Sequence, residues 1–355
     1  MKQVLMLILV MMVIGNWGGG ATFAALGPSG LDVDNLPELE VRSSSLGGKL
    51  LFSDSPEMVE HDGILYQDMV EGKVRLFFYH VNASSDVKKM AVLLENKGKK
   101  AAYVTVSQAS IGGPGYNWMA VGKEAQTQYF SENNSASYQI NIPPGGVKQL
   151  ATDIESMMMP DMLINGIYDF SVDGPVNVKV VMLPVDEDSV NFSKTLKVLP
   201  ADQCHLRGTF EGANREISPL DEYDPVHDGA IGITLADNRI DAYLQGYDAT
   251  DGSQVVNYGN YGVVYQVLLP SKKGSRIACY LVPIAGHYAG AIKINHPEVY
   301  WSPLAIPRDR LYFVGNHKQQ DFAFLGTFES GDPLSFTFSP PGASNLPVKI
   351  VVAPQ

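Results

Sequence analysis

The chain has 355 residues, 45% of them hydrophobic, with 38 acidic against 26 basic side chains and a net charge of −12. An acidic protein of this kind is repelled by nucleic acid and by anionic lipid, so neither is expected as a partner. The length exceeds one ordinary domain and allows two separate cores to be buried.

Residues 1–24 carry the pattern of a secretory signal peptide. Lys2 gives a positive start, residues 4–14 form an unbroken apolar run, and Thr22-Phe23-Ala24 offers a small-residue cleavage region. The apolar run is shorter than the about 20 residues that a bilayer span requires. Gly18, Gly19 and Gly20 then break any helix at once. No later stretch is long and apolar enough to cross a membrane. The expectation is a secreted protein, extracellular or associated with the cell envelope, with no membrane span after signal cleavage.

Residues 25–46 read as a linker, since Gly27-Pro28-Ser29-Gly30, Pro37 and Ser43-Ser44-Ser45 give no periodic pattern. Strand-like runs rich in Val, Tyr, Phe and Thr follow at 74–81, 90–95, 102–108, 137–142, 168–172 and 176–183. Turn signals separate them: Asn96-Lys97-Gly98, Gly112-Gly113-Pro114-Gly115 and Pro143-Pro144-Gly145-Gly146. One short helix is expected over 151–159, capped by Thr152 and stopped by Pro160. Composition shifts at Leu199-Pro200-Ala201-Asp202, which marks a domain boundary. The strand-and-turn rhythm then resumes at 229–235, 240–245, 262–269, 276–282, 290–294, 310–314, 322–328 and 349–352. Gly-Thr-Phe-Glu occurs at 208–211 and again at 326–329, a hint of two equivalent strands. The expected architecture is all-β, with two antiparallel β-sandwich domains: 47–199 immunoglobulin-like and 203–355 jelly-roll-like.

Catalytic motifs are missing. There is no Gly-x-Ser-x-Gly elbow, no His-Glu-x-x-His and no P-loop. A carboxylate pair leaves no local trace, so a glycan-active enzyme on a β-scaffold stays open as an alternative, with Glu211, Asp224, Asp228 and Glu298 as candidates. Cys204 and Cys279 are the two cysteines, and in an exported chain they invite one disulfide, worth ~4 kcal/mol in the chain-entropy description. Asp221, Glu222, Asp224 and Asp228 are closely spaced oxygen donors of the kind Ca²⁺ takes, although the EF-hand pattern is absent and solvated turns use the same residues. No other cofactor is expected. Tyr258, Tyr261, His287, Tyr288, Tyr300 and Trp301 are candidate binding residues, since flat rings with polar edges stack on sugars or grip protein partners; the competing reading is a role in the core. Met157, Met158, Met159 and Met162 form a soft cluster that suits Cu(I), or a filler of an apolar gap. Metal handling is therefore a third alternative.

Gly48-Lys49-Leu50-Leu51-Phe52-Ser53-Asp54-Ser55-Pro56-Glu57, running on to Gly63-Ile64-Leu65-Tyr66-Gln67-Asp68, forms one distinctive block. Residues 74–80 with Leu93-Leu94-Glu95-Asn96, and Gly208-Thr209-Phe210-Glu211-Gly212-Ala213-Asn214-Arg215, form two more. Together they resemble a family of uncharacterised exported bacterial proteins catalogued with the copper amine oxidase N-terminal, stalk-like domain. The resemblance implies an accessory module and carries no oxidase chemistry. The quinone-forming Asn-Tyr-Asp/Glu is replaced by Asn257-Tyr258-Gly259 and Asn260-Tyr261-Gly262, and no His-x-His copper pair exists. The function expected is a non-catalytic cell-envelope or extracellular binding or structural protein, partnered by a cell-envelope glycan or a surface protein.

Overall fold

The computed structural model describes residues 30–131, 137–300, 302–316 and 319–355. The signal-peptide region and Trp301 lie outside the described residues. A single 3₁₀ turn at Val33–Asn35 leads into β1 (Val41–Leu46), β2 (Lys49–Ser53), β3 (Met58–Val59), β4 (Gly63–Asn82), β5 (Lys88–Glu95) and β6 (Ala102–Gly115). Helix α1 (Trp118–Phe130) precedes β7 (Tyr138–Ile142), β8 (Val147–Gln149), β9 (Leu163–Pro184) and a four-residue α2 (Ser189–Phe192). The second half holds β10 (Arg207–Glu211), β11 (Asn214–Pro219), β12 (Ile231–Leu235), β13 (Gln245–Tyr247), β14 (Gln254–Val256), β15 (Val264–Leu268) and β16 (Arg276–Pro283). It ends with β17 (Gly286–Tyr288), β18 (Gly290–Asn295), β19 (Leu304–Ile306), β20 (Phe313–Asn316), β21 (Gln319–Gln320), β22 (Ala323–Glu329), β23 (Ser335–Phe338) and β24 (Val348–Pro354).

The protein is all-β, built as packed sheets. The largest sheet runs β14-β13-β10-β2-β4-β9-β5-β8, with β3 beside β4, and β6 and β7 branching from β9. A second follows β1-β11-β15-β23-β18-β19, a third β12-β24-β16-β22, and the smallest β17-β20-β21. Pairing is antiparallel except at β2–β4, β3–β4 and β11–β15. The sequence runs at 168–172 and 176–183 are one strand, β9, which pairs along almost its whole length with β4.

These central strands are apolar on successive residues because both faces of the sheet are covered. On β2, Leu50 and Phe52 face one core while Leu51 faces another. On β4, Phe77 and Tyr79 join the first core, and Leu76 and Phe78 the second. The second core lies under β6 and β7. The first continues without a break through α1 to Val352 on β24.

Three features cross the expected boundary at 199–202. Strands β10, β13 and β14 extend the sheet built on β2, β4 and β9. Residues 41–46, expected as linker, form β1 and pair with β11 from Val41 against Pro219 to Leu46 against Asn214. Helix α1 packs on β18 and β19 as well as on β6 and β9. The two copies of Gly-Thr-Phe-Glu both lie in strands, but β10 belongs to the largest sheet and β22 to the third.

The helix is at 118–130 and not at 151–159. Asn117 caps it by accepting the Ala120 amide at 3.1 Å. Its buried face is Val121, Gly122, Ala125, Gln126, Tyr129 and Phe130. That face has helical spacing, but Gly122 and Gln126 interrupt the apolar stripe. Over 150–158 the chain is tied to β5 at both ends, by Leu150 N–H to the Val92 carbonyl and Met158 N–H to the Lys88 carbonyl, both 2.8 Å, and makes only a single turn between them, closed by Glu155 N–H to the Thr152 carbonyl at 3.2 Å. Nor is 240–244 a strand; of the expected run only Gln245 is extended, as the first residue of β13. Asp237 Oδ1 accepts the amides of Arg239, Ile240 and Asp241, which folds the segment into a turn.

The expected disulfide is absent from the structure. Cys279 lies on β16 with its side chain fully buried in the main core, and Cys204 is exposed on the loop before β10; both are free thiols. Burial pushes the Cys279 thiol up, which makes it inert. Titration of the native protein with a thiol reagent should consume one equivalent, at Cys204, and a second only after denaturation.

Gln126 is the polar bolt of α1. Its amide donates to the Ser339 carbonyl and accepts the Ala291 amide. Gln126→Ala should leave both backbone groups buried and unpaired, at a cost of about 3 kcal/mol in urea unfolding. Because one core serves both halves, wild type should unfold in a single transition.

Candidate functional site

The loop after β2 carries two carboxyl groups, Asp54 and Glu57, into a cavity of about 200 Å³. Phe77 and Tyr79 of β4 form part of its wall, with Leu206 and Tyr261 beside them. The lining is completed by residues 342–345. The two walls lie almost three hundred positions apart in the chain, and each has its own anchorage.

The 54–57 loop is held from below. Asp202 Oδ1 accepts Ser55 Oγ at 3.0 Å and the amides of Cys204 and His205 at 3.1 and 3.0 Å; Oδ2 accepts the Glu57 amide at 2.9 Å. Arg207 reaches the Ser55 carbonyl at 3.3 Å. His80, fully buried, bonds Ser53 Oγ at 2.8 Å through Nε2 and the Pro56 carbonyl at 2.9 Å through Nδ1. A carbonyl only accepts, so Nδ1 carries the proton and Nε2 accepts from the serine. Burial lowers this imidazole to about 4, and it stays neutral near pH 7.

The 342–345 wall is held by α1 and by the 287–289 segment. A Cβ on Gly122 of α1 would collide with the Gly342 carbonyl, and one on Gly342 would sit 2.7 Å from the Tyr79 ring. Both glycines are therefore required by close approach. Ser344 exchanges hydrogen bonds of 3.0 Å with the backbone of Ala289, and Asn345 exchanges bonds of 2.8 and 2.7 Å with the backbone of His287. Tyr261 joins the two walls: its ring stacks on Phe52 with centroids 6.4 Å apart, and its hydroxyl donates to the Ser344 carbonyl at 2.6 Å.

Within this frame Asp54 is exceptional. Its Oδ1 is closed to solvent and has no hydrogen-bond partner. Burial, then the charges of Glu57 and Asp202, raise its carboxyl well above the usual range. Glu57 is raised for the same two reasons, by burial and then by Asp202. Among the residues lining the cavity none is basic.

The sequence candidates fall differently. Tyr261 lines the cleft; His287 does not, although its backbone bonds Asn345 of the wall, and its exposed ring lies against Tyr312 at 4.6 Å. Tyr288 is fully buried, with its hydroxyl unpaired. Tyr258 is exposed and meets Tyr243 edge-on; Tyr300 is 90% exposed on the loop between β18 and β19. Of the acidic set, Asp221 and Glu222 are exposed and only Asp224 and Asp228 meet. Asp228 Oδ2 accepts the Asp224 amide at 2.7 Å, and Asp224 is paired with His227 at 2.9 Å and Lys272 at 3.2 Å. Those partners, His227 first, hold Asp224 down at about 2. Glu211 and Glu298 are exposed and do not line the cleft. In the methionine cluster, Met158 is buried while Met157 and Met159 are exposed.

Another acidic group gathers His205, Asp248 and Asp251, whose ligand atoms lie within 4.8 Å of one another. Asp248 is already paired with Arg207 Nε at 2.6 Å through Oδ2, and its Oδ1 takes the Thr250 amide and hydroxyl. The guanidinium supplies the positive charge there, so the group is an ion pair that shapes the loop. Asp54 and Glu57 were not singled out from sequence, because two acids flanking Ser-Pro look like an ordinary turn.

The raised carboxyls make a signed stability prediction. A folded pKa above the unfolded value means that the folded state binds more protons, so stability falls as pH rises from about 4 through the folded pKa. Asp54→Asn should remove the Asp54 share of this dependence, leaving that of Glu57, at no cost in size. Its unfolding free energy should gain on wild type by about 1.4 kcal/mol per pH unit across that window, measured by urea titration between pH 4 and 7.

No protein-family model matches the chain, and no curated protein matches it. Solved structures with some likeness include an allantoicase, 10% identical, with 88% of this chain and 90% of that chain covered and a TM-score of 0.18. A xanthan lyase from Paenibacillus is 11% identical over 92% of this chain and 27% of its own length, again with a TM-score of 0.18. Similarity at this level carries no argument about fold or activity.

Proposed function

We propose that the protein is an exported, non-catalytic binding protein of the cell surface, and that its recognition site is the cleft between residues 54–57 and 342–345. The observation that carries this reading is a cavity with braced walls into which two carboxyl residues, Asp54 and Glu57, are brought with no basic residue in the lining. Carboxyls crowded together without a countercharge cost free energy, and a ligand that donates to them recovers part of that cost. The volume, about 200 Å³, is below the roughly 300–1,000 Å³ of drug-sized ligand sites and suits one residue-sized group of a larger surface molecule.

The neighbouring groups argue against turnover. Glycoside hydrolysis on a carboxylate pair needs one acid and one ionised partner. Here burial and neighbouring carboxyls push Asp54 and Glu57 in the same direction, so nothing sets one apart as the acid and the other as its partner, and the nearby Asp202 spends both oxygens on the loop. Both His80 nitrogens are committed as well. The raised carboxyls favour an enzyme only in the limited sense that they could donate a proton.

The test is to apply the full-length protein to arrays of cell-envelope glycans and of surface-protein peptides, with Ala343→Phe, which fills the cleft, in parallel. Wild type should bind an arrayed ligand, and the variant should lose at least tenfold in affinity while keeping its circular dichroism spectrum. Equal binding by the variant would move recognition elsewhere. Steady release of cleaved fragments would make the protein an enzyme.

A further inference from the structure

We infer that the group taken up by this cleft is an organic ammonium, R–NH₃⁺ at the end of a short alkyl chain. The inference rests on the cleft being the recognition site and adds the chemistry of what enters it. Two carboxyl side chains and three aromatic side chains line one small cavity, with no basic residue among them. Arg207, which reaches Ser55 of the same loop, has every guanidinium nitrogen occupied: Nε by Asp248, Nη1 by the carbonyls of Ser55, Leu65 and Leu199, and Nη2 by Thr250. His80 is neutral and turned to Ser53 and Pro56. No protein group is therefore left to face Asp54 and Glu57 with a positive charge from within the lining.

The donor count separates an ammonium from a metal ion. Ca²⁺ takes six to eight oxygens. Most oxygens around this cavity are already used. Asp202 is saturated by Ser55 and three backbone amides, the Asn345 side-chain oxygen accepts the His287 amide, and the Tyr261 hydroxyl donates to Ser344. The carboxyls of Asp54 and Glu57 alone make a poor calcium shell. They suit three N–H donors of one ammonium, and charge-assisted hydrogen bonds of that kind are about twice as strong as neutral ones. Phe77, Tyr79 and Tyr261 provide the apolar wall for the alkyl chain, and aromatic faces attract the cation itself. Burial and then neighbouring carboxyls, Asp202 among them for both, raise the two groups, and an ammonium beside them acts in the opposite direction.

The ammonium could come from a free alkylamine or from a lysine-like side chain on a surface polymer. Calorimetric titration of the full protein with n-butylammonium chloride, 1-butanol, calcium chloride and Nα-acetyl-lysine N-methylamide tests the assignment and separates the two sources. n-Butylammonium should bind at least tenfold more tightly than 1-butanol. That binding should fall at least tenfold in both Asp54→Asn and Glu57→Gln, each checked by its melting curve, so that failure of one to fold leaves the other informative. Tighter binding of the lysine derivative assigns the group to a polymer side chain, and weaker binding assigns it to a free amine; either supports the inference. Equal affinity for 1-butanol, lost in Ala343→Phe, would overturn the ammonium while leaving the cleft as the binding site. Calcium binding without n-butylammonium binding, or no heat from any probe, would overturn it too, and array binding abolished by Ala343→Phe would still uphold the cleft.

Discussion

Arg207 stands at the joint of this molecule. The residue is 2% exposed, and its three nitrogens reach four parts of the chain: Asp248 and Thr250 after β13, Leu65 in β4, Leu199 before β10, and Ser55 in the site loop. A buried ion pair adds little net stability, because taking two charges out of water costs about what their attraction returns. It does dictate geometry, since any arrangement that misses these acceptors leaves a desolvated charge unpaired. The position of the 54–57 loop follows from that constraint. Asp202 reinforces it from one side and neutral His80 from the other.

Two more buried arginines repeat the device. Arg75 pairs with Asp169 at 2.7 and 2.8 Å and donates to the Ala213 and Gly262 carbonyls, and Tyr129 of α1 bonds the same aspartate. Arg215 pairs with Asp241, which also accepts the Tyr265 hydroxyl. Each joins segments distant in sequence. Arg207, Arg75 and Gln126 tie the two halves of the chain into one packed object, and α1 is the piece that brings the 342–345 wall against the 54–57 wall. The cleft exists only because both anchorages hold.

A site of this kind is assembled against local preference. Asp54 would be more comfortable in water, and its Oδ1 is instead closed in without a partner. Hydrogen bonds elsewhere offset that cost. Such a residue is invisible to pattern reading, because nothing in Ser53-Asp54-Ser55-Pro56-Glu57 distinguishes it from a solvated turn. Tyr261 was legible as an aromatic in a Gly-rich loop, but its neighbours Tyr258 and Tyr300, chosen on the same grounds, point elsewhere.

Strand content was legible because β-branched and aromatic runs of five to eight residues, punctuated by Gly and Pro, have few other ways to fold. The core positions of β4, β5, β9 and β16 could be read in the same way. The helix was not, since its buried face uses Gly122 and Gln126, whose reasons lie in Gly342, Ser339 and Ala291. Sheet membership was equally hidden: a strand's residues state that it is buried on one or both faces, not which strand lies beside it. The sequence by itself determined an acidic, all-β chain rich in two-faced strands. Tertiary structure alone decided that β10 pairs with β2, that Cys279 faces the core away from Cys204, and that two carboxyls meet three aromatic rings in one cleft. The physical reason is range. Periodicity and turn chemistry act over a few residues, whereas hydrogen bonds to Arg207 and packing around α1 are satisfied only by groups brought together from across the whole chain.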